Sequence, residues 1–431
     1  MSRSSSINRH ALTSAVGAWR KNWRAHASTR VAFNVAIALV GLVVTRLFGS
    51  VTQILLARWM GVADFGFYTT LYTLLGPVAM ITSLGLDTWL MRQVRDAETL
   101  DRAISQVFAL RLLATGALML VAIAFIGASG RAPVTVPIVL AALGLTFELL
   151  LTTAYTALRS QIRNRAASLI QILVAGLTIT LIVVGWNSAA PLLVSTGYRL
   201  LADAIGLIAV LWLLRHSLRI LVWELRPLIN MVRQAFPYFA SDLLSTVALK
   251  ADLTLVALLI GAIGAGIYGP ALTIINTTFL VPTVMSQVLL PILSRQAAGS
   301  RGFRLIMLAM LLVNVVYGLL WAVVLYWESD LIIRAVFRAE YLDAVPLLQI
   351  MSLIPLLKCI NFCSVMFMVV RDRQVFRTKL LSIAAVFNVA LNVVCIPLFG
   401  LVGAAWVNVA TEVVLLLCYG YGAWRTAHEA A

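Results

Sequence analysis

The chain has 431 residues, of which 61% are hydrophobic and only 12% are charged. Soluble domains average about 25% charged residues, so this composition indicates an integral membrane protein with almost nothing left over for a soluble domain. The net charge of +16 at pH 7 does not indicate nucleic-acid binding, because the basic residues lie between apolar segments, where they act as topology determinants.

Long apolar runs recur along the whole chain. A membrane-spanning helix needs about 20 apolar residues, and the runs predict an all-α integral membrane protein with about 12 transmembrane helices. The predicted spans are 32–56, 67–91, 105–127, 133–157, 167–186, 191–214, 237–260, 264–289, 305–327, 345–369, 378–396 and 401–424.

The polar segments divide this pattern into five parts. Residues 1–31 form a polar, basic tail. The polar stretch and the apolar run that follows it are both too long for the corresponding parts of a signal peptide. Apolar residues recur in the tail at helical spacing beside basic ones, which fits an interfacial helix on an anionic leaflet; a disordered tail fits nearly as well. The remaining predicted parts are a six-helix bundle (32–215), an amphipathic cytoplasmic connector (216–236), a second six-helix bundle (237–424) and a short tail (425–431).

The loops on one side of the predicted spans hold most of the basic residues. The loops on the other side hold only Arg58, Arg131, Arg334 and Arg338. The excess of positive charge marks the cytoplasmic side, so we expect both termini in the cytoplasm. Each bundle contains an even number of spans, and the two bundles are therefore predicted to be parallel repeats.

A sequence repeat supports this division. The stretch VTQILLARWMGVADFGFY at 51–68 matches KADLTLVALLIGAIGAGIY at 250–268 with an offset of two hundred residues. Each copy is predicted to form a helix, a short turn at glycine and a second helix, which indicates the internal duplication common in secondary transporters. The shared positions include Gly61 and Gly261, Gly66 and Gly266, and Tyr68 and Tyr268.

Three cations fall near the middle of predicted spans, and a charge at that depth usually marks a functional site. Arg46 lies in the first span with Gln53 on its helical face, while Lys250 and Lys358 lie in the seventh and tenth spans. With few acids at the same depth, the three predict a cavity for an anion. The alternative is that each cation is paired privately inside its own half.

Charge spacing on single helices gives two further expectations. Lys250 and Asp252 are two residues apart, which places them on roughly opposite helix faces and predicts different roles for them. Arg199 and Asp203 are four residues apart in the sixth span, and this spacing predicts an intrahelical salt bridge.

The other intramembrane acids leave two readings open. Asp87 lies near a cytoplasmic helix end, where snorkelling or gate contacts could satisfy it. Glu148 and Glu412 have no obvious local partner, so each could carry a proton or could be bound structurally by a neighbouring helix.

Motifs of known enzyme chemistry are missing from the sequence. It contains no phosphate-binding loop, no H-E-x-x-H and no nucleophile elbow. The four cysteines lie in apolar segments and the four histidines lack ligand spacing. We therefore expect no catalytic residue, no metal site and no enzyme, and no cofactor beyond a coupling ion, H⁺ or Na⁺.

At this point the residues resemble a known family. LLARWMGVADFGFY followed by SLGLDTWLMRQV resembles the opening of polysaccharide-transport (Wzx-type) flippases, which belong to the multidrug/oligosaccharidyl-lipid/polysaccharide (MOP) exporter superfamily. The resemblance runs from about residue 32 to 424. It continues at Asp252, Gly261, Gly266, Ile267, Tyr268, Pro291, Asn388, Asn392, Pro397, Gly400, Gly403, Ala404 and Ala405.

The resemblance implies a V-shaped, MATE/MOP-like transporter that works by alternating access in the bacterial cytoplasmic (inner) membrane. It would move an undecaprenyl-diphosphate-linked oligosaccharide to the outer leaflet for lipopolysaccharide or exopolysaccharide synthesis, beside a polymerase and a chain-length regulator. Arg46 and Lys250 would hold the diphosphate with help from Lys358 and Gln53, and Asp252 would support the site or couple transport to an ion.

Two other functions remain open on the sequence. One is a cation-coupled multidrug exporter of the same superfamily, although the first span holds an arginine and no acid, where such proteins favour acidic cavities. The other is a membrane polymerase or ligase of lipid-linked glycans. Such an enzyme would normally expose a larger external loop, and the longest one here, 328–344, contains no histidine.

Overall fold

In a computed structural model, the protein is helical and has no strand within the residues described, which are 7–93, 97–128, 135–161, 163–215, 217–219, 225–294, 296 and 300–428. Short 3₁₀ turns cover Ser217–Arg219 and Ala339–Ala344. The α-helices are α1 (Ile7–Ile81), α2 (Leu86–Gln93), α3 (Ala97–Ala128), α4 (Thr135–Ser160), α5 (Asn164–Val184), α6 (Pro191–Leu214), α7 (Leu225–Leu259), α8 (Ala262–Thr278), α9 (Leu280–Leu293), α10 (Arg301–Trp327), α11 (Ser329–Phe337), α12 (Val345–Met351), α13 (Ile354–Val370) and α14 (Gln374–His428).

Within the described part of the chain, seven helices are long and apolar enough to cross a membrane, or eight if a bent pair forms one span. At least one of them folds back on itself. Residues 388 and 411 of a straight α14 would lie about 35 Å apart. Instead, the side-chain amide of Asn388 donates to the Thr411 hydroxyl over 2.9 Å, because α14 turns at Gly400, whose φ is 60°. The chain is a multi-pass helical membrane protein, and the count of twelve spans stays a prediction.

The duplicated helix–turn–helix is confirmed by the backbone. Gly61 interrupts α1 with φ 73° and ψ 177°, and Gly261 precedes α8 with φ 96° and ψ −168°. Both conformations lie in the positive-φ region that side chains disfavour, which explains why glycine stands at both positions. The two copies of the repeat therefore turn at equivalent residues.

Several predicted boundaries are wrong. The span 67–91 is interrupted between α1 and α2, where Leu84 and Gly85 have φ values of 50° and 67°. The span 264–289 divides into α8 and α9 at Phe279. The connector 216–236 does not end where predicted, because α7 starts at Leu225 and continues through Pro237 into the next span. The basic tail is likewise continuous with the first span, since α1 starts at Ile7.

The helices pack as two groups that meet along α1 and α8. In the amino-terminal half, α4 packs on α6 and α1 on α5, while in the carboxy-terminal half α13 and α7 pack on α14. One apolar core spans both halves, with Leu56 and Phe65 from the first and Tyr268 and Tyr341 from the second. The halves are therefore joined on the side that carries the Gly61 and Gly261 turns.

Candidate functional site

A cavity of about 400 Å³ lies between α1 and α8, where the two halves meet. We call it the central cavity. Among the described residues, its wall contains one cation, hydroxyls and two amides, but no carboxylate. The lining residues are Arg46, Leu47, Gly49, Ser50, Gln53, Thr273, Asn276, Thr277 and Leu280.

Arg46 is the charged group of the central cavity. It forms no ion pair with any side chain in the described ranges, in contrast to Arg111, Arg199 and Lys358, which all pair with acids. Gln53 lies seven residues later, about 10 Å along the helix and about 20° around it, so both side chains point to the same cavity. Arg46 and Gln53 of the first span thus line one cavity, and their role in binding stays a prediction.

Lys250 does not join Arg46, although both were expected to bind one anion. Its side chain is exposed and absent from the lining of the central cavity. Its Nζ lies 3.9 Å from the position that a Cβ on Gly76 would occupy, at the contact of α7 with the second part of α1. The structure thus brings only Arg46 and Gln53 together among the four residues predicted to bind substrate.

A second cavity, of about 330 Å³, lies inside the amino-terminal half and is called the amino-terminal cavity. The predicted intrahelical salt bridge there is wrong. Arg199 pairs with Glu148 of α4 over 2.7 Å and donates to the Tyr68 hydroxyl over 3.1 Å. Its guanidinium also lies 4.2 Å from the centre of the Tyr72 ring. The cation is thus held by neighbouring helices, and no ion pair to Asp203 forms between these described side chains.

Asp203 remains beside this group as a buried carboxyl. It is 8% exposed and lines the amino-terminal cavity. Its Oδ2 accepts no hydrogen bond from the described part of the chain. Gly49 and Gln53 line both this cavity and the central one, so the two cavities adjoin at α1.

A third cavity, of about 350 Å³, lies inside the carboxy-terminal half and is called the carboxy-terminal cavity. Lys358 of α13 pairs there with Glu412 of α14 over 3.0 Å, and its Nζ lies 4.5 Å from the centre of the Phe279 ring. The Asn361 amide donates to the other oxygen of Glu412 over 3.0 Å. For Lys358, therefore, the alternative of private pairing inside its own half is the one the structure forms.

Asp252 belongs to a chain of hydrogen bonds in the same cavity. The Asn392 amide donates to Asp252 over 2.8 Å and to the Asn388 carbonyl oxygen over 3.1 Å, and Asn388 in turn donates to Thr411. The remaining oxygens of Asn392 and Asn361 are buried and accept nothing from the described residues. Lys250 lines neither this cavity nor the central one, so the two residues lie apart, and the difference in their roles stays a prediction.

Asp87 is held in a structural contact between helices. Its carboxylate accepts from Arg111 of α3 over 2.8 Å, and the same guanidinium reaches the Thr153 hydroxyl of α4. Arg111 is 1% exposed and the Asp87 side chain is 25% exposed, so the pair is partly buried, and it connects α2, α3 and α4. In the described residues, no three His, Cys, Asp or Glu side chains lie close enough together to hold a metal ion.

The sequence analysis overlooked uncharged polar side chains that line the cavities or form hydrogen bonds beside them. Asn276 lines both the central and the carboxy-terminal cavities, yet it carries no charge and was overlooked. The amide chain through Asn388 and Asn392 was noted only as part of a family resemblance. Their spacing of four residues places both on one helix face, a signal that could have identified the network.

Comparison with known proteins gives a family. Residues 31–297 match the family model described as polysaccharide biosynthesis protein. An uncharacterised membrane protein of Methanocaldococcus jannaschii is 35% identical over 86 residues, which cover 20% of this chain and 17% of that relative. The chain therefore spans only a small part of that curated relative.

Solved structures share the fold over almost the whole chain. A multidrug resistance MATE family transporter of the MOP superfamily in its inward-facing conformation aligns with a TM-score of 0.70 at 14% identity, covering 90% of this chain and 96% of that one. The lipid II flippase MurJ in an inward closed conformation aligns with a TM-score of 0.71 at 14% identity, covering 90% and 87%. An outward-facing MATE transporter gives 0.63 at 16% identity, covering 91% and 94%.

Proposed function

Since the chain belongs to the polysaccharide biosynthesis protein family, we propose that it is a flippase for undecaprenyl-diphosphate-linked oligosaccharide. It carries the glycan from the inner to the outer leaflet of the bacterial cytoplasmic membrane, and it makes or breaks no covalent bond. The fold that it shares with MATE transporters and with MurJ supports a transporter, and the family supports polysaccharide as the pathway.

Arg46 is the single observation that carries the choice of substrate. In the described part of the chain, the Arg46 guanidinium has no acidic partner and faces a cavity lined by no acid, which favours an anion. A diphosphate offers two phosphate groups for charge-assisted hydrogen bonds. The wall of hydroxyls and amides suits the neutral sugars that follow the diphosphate. The same wall disfavours the cationic drugs that a multidrug exporter would carry.

The position of Arg46 fits alternating access. It lies fifteen residues before the Gly61 turn, about 22 Å along the helix, and the hydrocarbon core is about 30 Å thick. The halves are packed together on the side of that turn, which the distribution of basic loops assigns to the outside. The central cavity would then receive substrate from the cytoplasmic side, with both termini in the cytoplasm.

Coupling to an ion is assigned to the carboxy-terminal cavity. Asp252 accepts a hydrogen bond from the Asn392 amide, and buried oxygens of Asn392 and Asn361 have no donor among the described residues. A bound Na⁺ would take such oxygens as ligands, since hard cations prefer oxygen, whereas a proton would bind the Asp252 carboxylate itself. In this account Lys250 contributes positive charge outside the central cavity, and Lys358 acts through Glu412.

A deletion strain tests the proposal. Loss of the protein should leave undecaprenyl-diphosphate-linked oligosaccharide in the inner leaflet and abolish surface polysaccharide, and the wild-type gene should restore both. Unchanged lipid intermediates together with increased drug susceptibility would reject the flippase in favour of a multidrug exporter. Pull-down of a polysaccharide polymerase and a chain-length regulator with the tagged protein tests the expected partners.

A further inference from the structure

Two side-chain amides face the central cavity from opposite halves of the protein. Gln53 stands on α1 and Asn276 on α8. Neither amide hydrogen-bonds to a described residue, whereas the neighbouring hydroxyls of Ser50 and Thr277 contact each other over 3.1 Å and join the two helices. An amide offers two donors and an acceptor with two lone pairs, so this pair of free amides is equipped to bind a polyhydroxyl ligand.

We propose that Gln53 and Asn276 form a subsite for the sugar that is attached directly to the diphosphate. The inference rests on the proposed function, with the diphosphate at Arg46. Gln53 lies about 10 Å further along α1 than Arg46 and on the same face. A group bound to the amides therefore lies next to the anion at Arg46 and does not overlap with it. A sugar linked to that anion therefore reaches the amides through its hydroxyl or acetamido groups.

The remaining wall fits a neutral ligand at this position. The Thr273 and Thr277 hydroxyls donate to the backbone oxygens of Gly269 and Thr273 over 2.9 Å and 2.8 Å. Thr277 therefore accepts from the Ser50 hydroxyl with one lone pair, and the other lone pairs of the two threonines can accept from sugar hydroxyls. No carboxylate and no second cation lines the cavity within the described residues. The subsite thus distinguishes sugars by hydrogen bonds and not by charge.

The two amides also stand where the central cavity adjoins the cavities of the two halves. Gln53 is shared with the amino-terminal cavity, and Asn276 is shared with the carboxy-terminal cavity that contains Asp252. A sugar bound to both amides connects the two halves across the cavity. Its presence can therefore be sensed by each half, which a bare diphosphate at Arg46 would not achieve.

Binding to two ligands tests the assignment. The purified protein in nanodiscs is titrated with undecaprenyl diphosphate and with undecaprenyl diphosphate carrying one N-acetylhexosamine. Asn276→Leu and Gln53→Leu remove the amides at similar volume, and Gln374→Leu on the exposed start of α14 is the matched control. Each amide variant should bind the sugar-bearing lipid about tenfold more weakly, the loss of about one well-placed hydrogen bond, and bind the bare diphosphate normally.

The outcomes separate the two proposals. Retained binding of the bare diphosphate also shows that a variant is folded. Equal loss for both ligands, or no loss for either, would overturn the sugar subsite while leaving the flippase in place. If the unaltered protein binds neither lipid, the proposed function fails and the subsite fails with it.

Discussion

Gly66 and Gly266 touch across the contact between the two halves. A Cβ on Gly66 would lie 3.1 Å from the Cα of Gly266 and would collide with the carbonyl oxygen of Ala262. A Cβ on Gly266 would lie 3.0 Å from the Cα of Gly66 and would collide with the carbonyl oxygen of Val62. Val62 and Ala262 are themselves equivalent positions of the repeat, so the halves meet through the same backbone surface on each side.

This contact predicts matched effects of two substitutions. Gly66→Ala and Gly266→Ala should each destabilise the structure by about 1–3 kcal/mol, because the added methyl group meets backbone that cannot move aside. The melting temperature, measured as the temperature at which heating removes the monodisperse gel-filtration peak in detergent, should be lower in both variants. Gly116→Ala on α3 is the control, since a Cβ there meets nothing within 4 Å. Melting equal to that of the control would contradict the close contact.

Tyr341 holds the two halves together near the Gly61 turn. Its side chain is fully buried, its hydroxyl donates to the Ala57 carbonyl oxygen over 2.8 Å, and its ring lies edge-on to Phe65. Tyr341→Phe removes this hydrogen bond between the halves at a cost of about 0.5–1.5 kcal/mol, which favours their separation.

Maleimide labelling measures this separation. A cysteine at Ala57 should react faster in the Tyr341→Phe background than in the parent, with the native cysteines giving the background rate. Tyr326→Phe, at an exposed position, is the control. Unchanged labelling in Tyr341→Phe would show that Tyr341 does not hold the halves together.

The partly buried pair of Asp87 and Arg111 predicts a loss of folding. Asp87→Ala leaves a guanidinium that is 1% exposed without its acid, and removal of one partner of a buried pair costs about 3–5 kcal/mol. The yield of monodisperse protein should fall sharply. Replacement of both residues, as in Asp87→Ala with Arg111→Leu, should recover much of it. A normal yield for Asp87→Ala alone would mean that the pair contributes little.

The two halves contain ion pairs of opposite polarity at matching places. Glu148 of α4 pairs with Arg199 of α6, while Lys358 of α13 pairs with Glu412 of α14. In the predicted order of spans these residues lie in the fourth and sixth spans of each half. If Lys358 acts through its pairing, Lys358→Ala should reduce polysaccharide export strongly, and the exchange of Lys358→Glu with Glu412→Lys should restore part of it. No recovery with the exchanged pair, in a protein that is folded, would favour direct contact of Lys358 with substrate.

Much of the fold follows from short-range signals in the sequence. Apolar runs predict the spanning helices. The repeated glycines predict the turn in each half, since Gly61 and Gly261 both adopt positive φ. The break at Phe279 did not follow, since phenylalanine is not a typical helix breaker and packing decides the local conformation. At the break before α2 the sequence did hold a signal, because Gly85 has positive φ, but that signal was overlooked.

The site was predicted less completely than the fold. Arg46 and Gln53 share a helix face, and periodicity alone identifies such a pair. The partner of Arg199 was missed because spacing along one helix pointed to Asp203, four residues away. The actual partner, Glu148, lies on another helix and is brought close by tertiary packing. The cavity residues of α8 were missed for the same reason, because the crossing of α1 and α8 is not encoded in either helix alone.

The most direct measurement is leaflet transfer by the purified protein. Proteoliposomes are loaded with undecaprenyl-diphosphate-linked oligosaccharide, and the fraction open to a membrane-impermeant glycosidase is followed over time. The unaltered protein and Arg301→Ala, at an exposed helix start, should transfer the lipid, while Arg46→Ala should be slower by roughly tenfold or more because a charge-assisted contact with the diphosphate is lost. Transfer no faster than in empty liposomes, or equal rates for Arg46→Ala and the unaltered protein, would contradict the account.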